Sequence, residues 1–296
     1  FPMEKIMNRK SLVTFLLITF GLAWTLFSLP LAFKNNPEIY TTATLICFSA
    51  AMWSPGIAAI IATRLVEKQP VMQTLRVNTL GPKRFYLAAW FLPALITFAT
   101  IGVSALLGTA TFDPSFTFVR ESLAAQTPAG TALPPVEILV FAQTAFALTL
   151  APFINVLFAF GEELGWRGFL LPRLMPLGQW KAILLSGLIW GAWHIPATLF
   201  HGHNFPQHPY LGILLLLGGF PLLGAILAWL TLKTRSPWAA ALAHGAFNAI
   251  AGVAFFFLQP GFDTALAGSP LGLAGWIPMG LIVAGLVWAK QLPVAE

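Results

Sequence analysis

FAFGEELGWRGFL, residues 158–170, sets two adjacent carboxylates and a guanidinium inside a run otherwise fit for lipid. The surrounding chain of 296 residues is 57% hydrophobic and only 9% charged, with a mean hydropathy of +0.79. A soluble domain carries about 25% charged residues. That deficit, with 26 Phe and 11 Trp, predicts an integral membrane protein. Ionisable groups inside a membrane are expensive, so Glu162, Glu163 and Arg167 are functional candidates by default.

A bilayer core of about 30 Å asks for roughly 20 apolar residues per helix. Suitable runs fall at about 11–33, 41–63, 85–108, 136–172, 180–200, 209–232, 237–258 and 270–290. The expected fold is all-α: a polytopic membrane protein with about eight transmembrane helices. Residues 1–296 form a single transmembrane domain, with the polar motifs at about 150–255. The fourth run is too long for one crossing, which predicts either a long tilted helix or a helix broken near Pro152. The first run is long enough to span and lacks a small-residue cleavage site, so no cleavable leader is expected. Val71, Met72, Leu75 and Leu80 suggest an interfacial helix in the 64–84 loop. Residues 109–135 read as a long external connector.

The net charge of +6 and pI of about 9.8 follow the topology. Of the 16 Lys and Arg, all but Lys34 and Arg120 fall on one side of an eight-span arrangement. Basic residues collect on the cytoplasmic side, so both termini are expected there. The basic charge thus reads as a topology signal, and no nucleic-acid partner is expected. Cys47 is the only cysteine, which rules out an internal disulfide or a thiolate metal cluster.

Two further stretches carry polar groups within apolar runs: WGAWHIP (190–196) and HGAFNA (244–249). At 1.5 Å per helical residue, Glu162 lies roughly 16 Å from Arg173 and His194 roughly 20 Å from Lys181. On the same measure His244 and Asn248 lie roughly 14 and 20 Å from Arg235. Three helices of alternating direction thus bring polar residues to a similar depth, near the midplane or slightly to its cytoplasmic side. Gly161/Gly165, Gly187/Gly191 and Ala241/Gly245 on the same helices permit close approach of backbones.

The spacings suggest roles. Glu163 and Arg167, at i and i+4, are placed to pair. That leaves Glu162 without a partner, as suits a general base. His194 from the next span is placed to share a water with it. His244 and Asn248, again at i and i+4, present donors on one face, which fits an oxyanion hole. The sum is peptide-bond hydrolysis without a covalent intermediate. Alternatively, Glu162, His194 and His244 are three ligands of the kind that leave a catalytic zinc an open position. Cofactor expectations are therefore none or zinc. HExxH is absent, and Asp113 and Asp263 fall in external loops, away from any dyad. The non-enzymatic alternatives are a membrane scaffold or a proton- or ion-coupled transporter using the same polar residues. Spans 1 to 3 offer such a relay no ionisable partner toward the outside. Trp166, Trp190 and Trp193 read as core. His201, His203 and His208 read as an ordinary outer loop, away from the glutamates.

EELGWR (162–167), WGAWH (190–194) and HGAFN (244–248) resemble, in order and spacing, the EExxxR, FxxxH and HxxxN/D motifs of the CPBP intramembrane proteases. That family includes the CAAX prenyl endopeptidases, abortive-infection proteins and bacteriocin self-immunity proteins. Trp190 departs from the usual Phe. The resemblance implies an intramembrane endopeptidase acting near the cytoplasmic side, often classed as a metalloprotease though a metal-free glutamate mechanism is also proposed. It carries water activation to Glu162 and His194, and oxyanion stabilisation to His244 and Asn248. The implied partners are membrane lipid and a peptide or protein substrate, lipidated in the CAAX enzymes. The implied location is a prokaryotic cell membrane.

Overall fold

Helix α1, Arg9–Phe33, begins where the Asn8 side chain accepts the backbone N–H of Ser11, satisfying one of the donors that a helix start leaves open. The computed structural model describes residues 8–128, 131 and 134–294. Lys5, one of the basic residues used for topology, lies outside them. After a three-residue turn comes α2, Pro37–Val66, capped by Asn36 and opened by a proline. Proline suits a first turn because its missing N–H would be unpaired there in any case. Met52 and Trp53 interrupt α2, and Pro55 restarts it.

The remaining helices are α3 (Arg84–Leu106), α4 (Thr117–Gln126), α5 (Val136–Leu148), α6 (Ala151–Leu177), α7 (Gln179–His201), α8 (Pro209–Thr234), α9 (Pro237–Phe257) and α10 (Leu273–Trp288). Among the described residues the only β pairing is an isolated bridge between Phe112 and Leu258. Helix α9 packs on both α6 and α3, and α7 packs along α8. Large apolar side chains such as Leu17, Leu45, Leu87, Ile138, Leu157, Leu214 and Leu281 point outward. In water such a surface would aggregate; around a membrane protein it is the lipid face.

The all-α polytopic expectation holds, while the count of eight is approximate. Among the described residues six helices are long and apolar enough to cross, or seven when α5 and α6 count as one span bent by 50°. That bend, at Thr149–Leu150, is the break expected near Pro152. Helix α10 has 16 residues, about 24 Å at 1.5 Å each, short of a full hydrocarbon core. Two loop expectations are corrected. The 109–135 connector contains α4, whose start is held by Asp113 accepting from the backbone N–H of Ser115 and Thr117 at 2.9 and 2.6 Å. Between α2 and α3 the described chain has one short helical turn, Val71–Thr74, and Leu75 is fully buried in the protein.

The loops sort to two ends. At one, the Trp238 indole donates to Val77 O at 2.8 Å and Arg173 pairs with Glu67. At the other, Tyr40 meets His201 at 2.6 Å and His208 pairs with Asp263 at 2.9 Å. Most of the loop basic residues belong to the first end, with Lys34 at the other. Arg167 does not: it is buried within α6 and pairs with Glu163, so it leaves the topology count.

Burial pushes the Glu67 carboxyl up, but the Arg173 guanidinium and the Ser11 hydroxyl, which donates at 2.6 Å, outweigh it and hold the carboxyl below its usual value.

Candidate active site

Immediately after Glu163 the helix widens. Over Leu164–Leu170 its hydrogen bonds reach five residues back, ending with Leu171 N–H on Trp166 O. Such wide turns interrupt an α-helix and often accompany functional sites. Here the widening follows directly on the two carboxylates, which face different surroundings.

Glu163 is fully buried. Its Oε1 accepts from Arg167 at 3.1 Å, as the spacing suggested, and from His244 Nδ1 at 2.9 Å, which it did not. Its Oε2 has no partner. Arg167 also lies over the Trp190 ring, 4.3 Å from its centroid. Glu163 therefore ties α6 to α9 through His244.

Glu162 turns into a cavity of about 630 Å³, whose lining also includes His194, His244 and Asn248. Glu163 does not line it. The four side chains named from the sequence as the reacting set thus face one space from α6, α7 and α9. The expectation that Glu162 has no partner is corrected: Trp190 and Trp166 both donate indole N–H to its Oε2, at 2.7 and 3.3 Å. Two tryptophans read as core are also polar contacts of the carboxylate. Trp166 sits at i+4 from Glu162, so the spacing rule that found Arg167 pointed to it as well.

His194 Nδ1 lies 3.0 Å from Trp190 O. A carbonyl accepts only, so Nδ1 carries the proton there and Nε2 holds the lone pair in the neutral ring. Phe220 stacks on the imidazole at 4.5 Å and Trp193 meets it edge-on at 4.6 Å. Asn248 is exposed to the cavity.

His203 corrects the loop reading, because it lines the same cavity and its ring is parallel to that of His194, with centroids 6.5 Å apart. His201 is anchored between Tyr40 and Phe27 O, and His208 pairs with Asp263. Gly202, His203, Asn204 and Pro206, with Ser269, Pro270 and Leu271, wall the cavity. They belong to the end where His208 pairs with Asp263, so the cavity opens toward that end.

Among the described residues no three His, Cys, Asp or Glu are grouped to hold a metal ion. Glu162, His194 and His244 share the cavity without forming such a group.

The glycine pairs act less directly than expected. A Cβ at Gly161 would meet Met52 O at 2.8 Å, and one at Gly165 the Pro55 carbonyl carbon at 2.6 Å. Gly187 and Gly191 abut Pro221 and Leu216 of α8. Only Gly245 brings two polar helices together, lying against Pro152 and Val156 of α6.

Residues 143–250 match the family described as Rce1-like, type II CAAX prenyl endopeptidase Rce1-like. The CAAX prenyl protease 2 of Methanococcus maripaludis is 34% identical over 88 residues, covering 28% of this chain and 32% of that protein. The similarity thus spans about a third of that relative's length. The family match includes all three polar stretches.

Proposed function

With residues 143–250 matching the Rce1-like CAAX protease family, we propose that this chain is an intramembrane endopeptidase in which Glu162 and His194 activate water. One observation carries the reading: Glu162, His194, His244 and Asn248 line a single cavity, while the adjacent Glu163 is held apart by Arg167 and His244.

Neither indole reaches Glu162 Oε1, which is the oxygen left to accept a proton from water. The neutral His194 ring offers Nε2 to the same water. Hydroxide equivalent adds to the peptide carbonyl and the water proton passes to Glu162. An imidazolium at His244 presents Nε2–H while its Nδ1–H stays with Glu163. Together with the Asn248 amide it donates to the oxyanion, a contribution typically of about 10²–10³ per donor. Collapse of the intermediate breaks the C–N bond, and the proton held on Glu162 goes to the departing amine. The mechanism runs on protein groups alone.

Basic residues favour the cytoplasmic side of a membrane, so the reading takes the end that carries most of the basic loops as the cytoplasmic one. The scissile bond then lies near the midplane, somewhat deeper than a strictly cytoplasmic cleavage would need. The substrate is a membrane-associated peptide or protein, and the name of the Methanococcus maripaludis relative makes a prenylated C-terminal peptide the first to try.

The test is cleavage by purified protein in detergent of a prenylated peptide and its unprenylated twin. Glu162→Gln and His194→Ala are each expected to lose at least about 10²-fold, the usual scale for general acid–base groups. Persistent cleavage in both variants overturns the site. Loss of wild-type cleavage on chelation overturns the metal-free version.

A further inference from the structure

Glu162 is 2% exposed, yet both donors that reach it come from tryptophans, Trp190 at 1% and Trp166 at 0% exposure. Both bind the same oxygen, at 2.7 and 3.3 Å. A carboxylate side chain turns freely about its terminal torsion unless something fixes it. Two donors on Oε2 fix the plane of this one and leave Oε1 toward the cavity. The donors approach from different elements: Trp166 from the widened turn of α6, and Trp190 from α7, one turn before His194.

Trp190 is also tied to the other groups of the site. Its carbonyl accepts from His194 Nδ1 at 3.0 Å, its ring lies 4.3 Å from the Arg167 guanidinium carbon, and its centroid is 5.2 Å from that of His244. Phe220 packs against it at 4.3 Å. Each of these contacts uses either its backbone or its ring. Only the Glu162 contact uses the indole N–H.

We propose that Trp190 is a positioning residue for Glu162, its indole N–H orienting the carboxylate so that Oε1 meets the water, with Trp166 as a weaker second donor. This rests on the hydrolase reading above. The shorter bond, at 2.7 Å, carries most of the effect; the bond at 3.3 Å carries less. A charge-assisted hydrogen bond is worth roughly 10- to 100-fold when lost.

Trp190→Phe removes the N–H and keeps an aromatic ring against Arg167, His244 and Phe220. Kinetics on the peptide cleaved by the wild type, with thermal unfolding in the same detergent, give the readout. The expected result for Trp190→Phe is a kcat reduced roughly 10- to 100-fold with KM within about threefold and the unfolding midpoint little changed. Trp166→Phe is expected to lose a few-fold in kcat on the same pattern. A packing role alone would lower the midpoint or raise KM while sparing kcat in the folded enzyme. Should Trp190→Phe not fold, Trp166→Phe decides: an unchanged kcat in that variant overturns the proposal. So does a folded Trp190→Phe that turns over at the wild-type rate while Glu162→Gln is inactive, which leaves the hydrolase reading standing. If Glu162→Gln itself cleaves normally, the hydrolase reading falls, and the positioning role with it.

Discussion

Glu163 of α6 and His244 of α9 meet at 2.9 Å, through the same carboxylate oxygen that Arg167 reaches at 3.1 Å. One buried anion therefore serves two cationic or donor groups on separate helices. Removing its charge strands Arg167, which is 1% exposed. Breaking one side of a buried pair costs about 3–5 kcal/mol. Glu163→Gln is accordingly expected to destabilise the protein by roughly 3 kcal/mol, and to lower kcat by releasing His244 from its orientation. Denaturant or thermal unfolding in detergent checks the first part. A variant as stable as the wild type would show that the triad carries no structural charge pairing.

The neighbouring residue should behave in the opposite way. Glu162 faces the cavity and is touched only by neutral indole donors. Its amide analogue keeps an oxygen able to accept both, so Glu162→Gln is expected to be folded and at least as stable as the wild type, within about 1 kcal/mol. Its activity should nonetheless be lost. Two adjacent glutamates would then differ in stability, Glu162 serving the chemistry alone and Glu163 holding the fold as well. Unfolding midpoints and turnover measured side by side check this. A Glu162→Gln variant destabilised as much as Glu163→Gln contradicts the division.

The polar stretches are readable because each sits in an apolar run and axial rise converts position into depth. Depth alone brings Glu162, His194, His244 and Asn248 to one level, and they line one cavity. What the residues do not reveal is azimuth, the direction around each helix. His244 therefore reaches Glu163 unannounced, and Gly161 and Gly165 turn out to face the break in α2. Tryptophan misleads for a chemical reason: its area is apolar, but its N–H needs an acceptor when buried. Trp166 is legible at i+4 from Glu162. Trp190 is not, because its partner lies on another helix. His203 escapes as well, since a helix-by-helix count cannot show a loop folding back over the His194 ring. The count of eight is approximate: α5 and α6 together make the bent crossing expected over 136–172, and α10 is short.

The break in α2 makes a further prediction. Gly165 packs against Pro55 so closely that a Cβ would sit 2.6 Å from the Pro55 carbonyl carbon and 2.7 Å from its oxygen. These are backbone atoms, which cannot swing aside as a side-chain end would. Gly165→Ala is expected to push α6 from α2 and to cost about 1–3 kcal/mol, the usual range for overpacking. The displaced turn is the widened one between Glu163 and Leu171, so turnover should fall as well. Gly285→Ala, where nothing lies within 4 Å of the added carbon, is the control and should be neutral. Equal behaviour of the two variants would show that the α2–α6 approach is not tight.

Glu67 supplies a prediction about pH. Burial disfavours its charge, but Arg173 and Ser11 outweigh that and hold its carboxyl below the ordinary value. Arg173 donates to Glu67 Oε1 at 2.6 Å, donates to Phe169 O at 3.0 Å, and stacks over the Phe169 ring at 3.6 Å. A group depressed in the folded state stabilises the fold fully above its unfolded value, about 4.3. That contribution is lost as pH falls through the folded value. Wild type should therefore be more stable than Glu67→Gln by a constant margin from about pH 7 to pH 5. The margin should close on further acidification, as Glu67 takes up its proton and the wild type comes to resemble the variant. Unfolding midpoints of both proteins over that range provide the check. A gap that persists unchanged into strong acid would mean that the amide variant fails for its shape and not its charge, and that the pair joining α6 to the loop after α2 does not depend on ionisation.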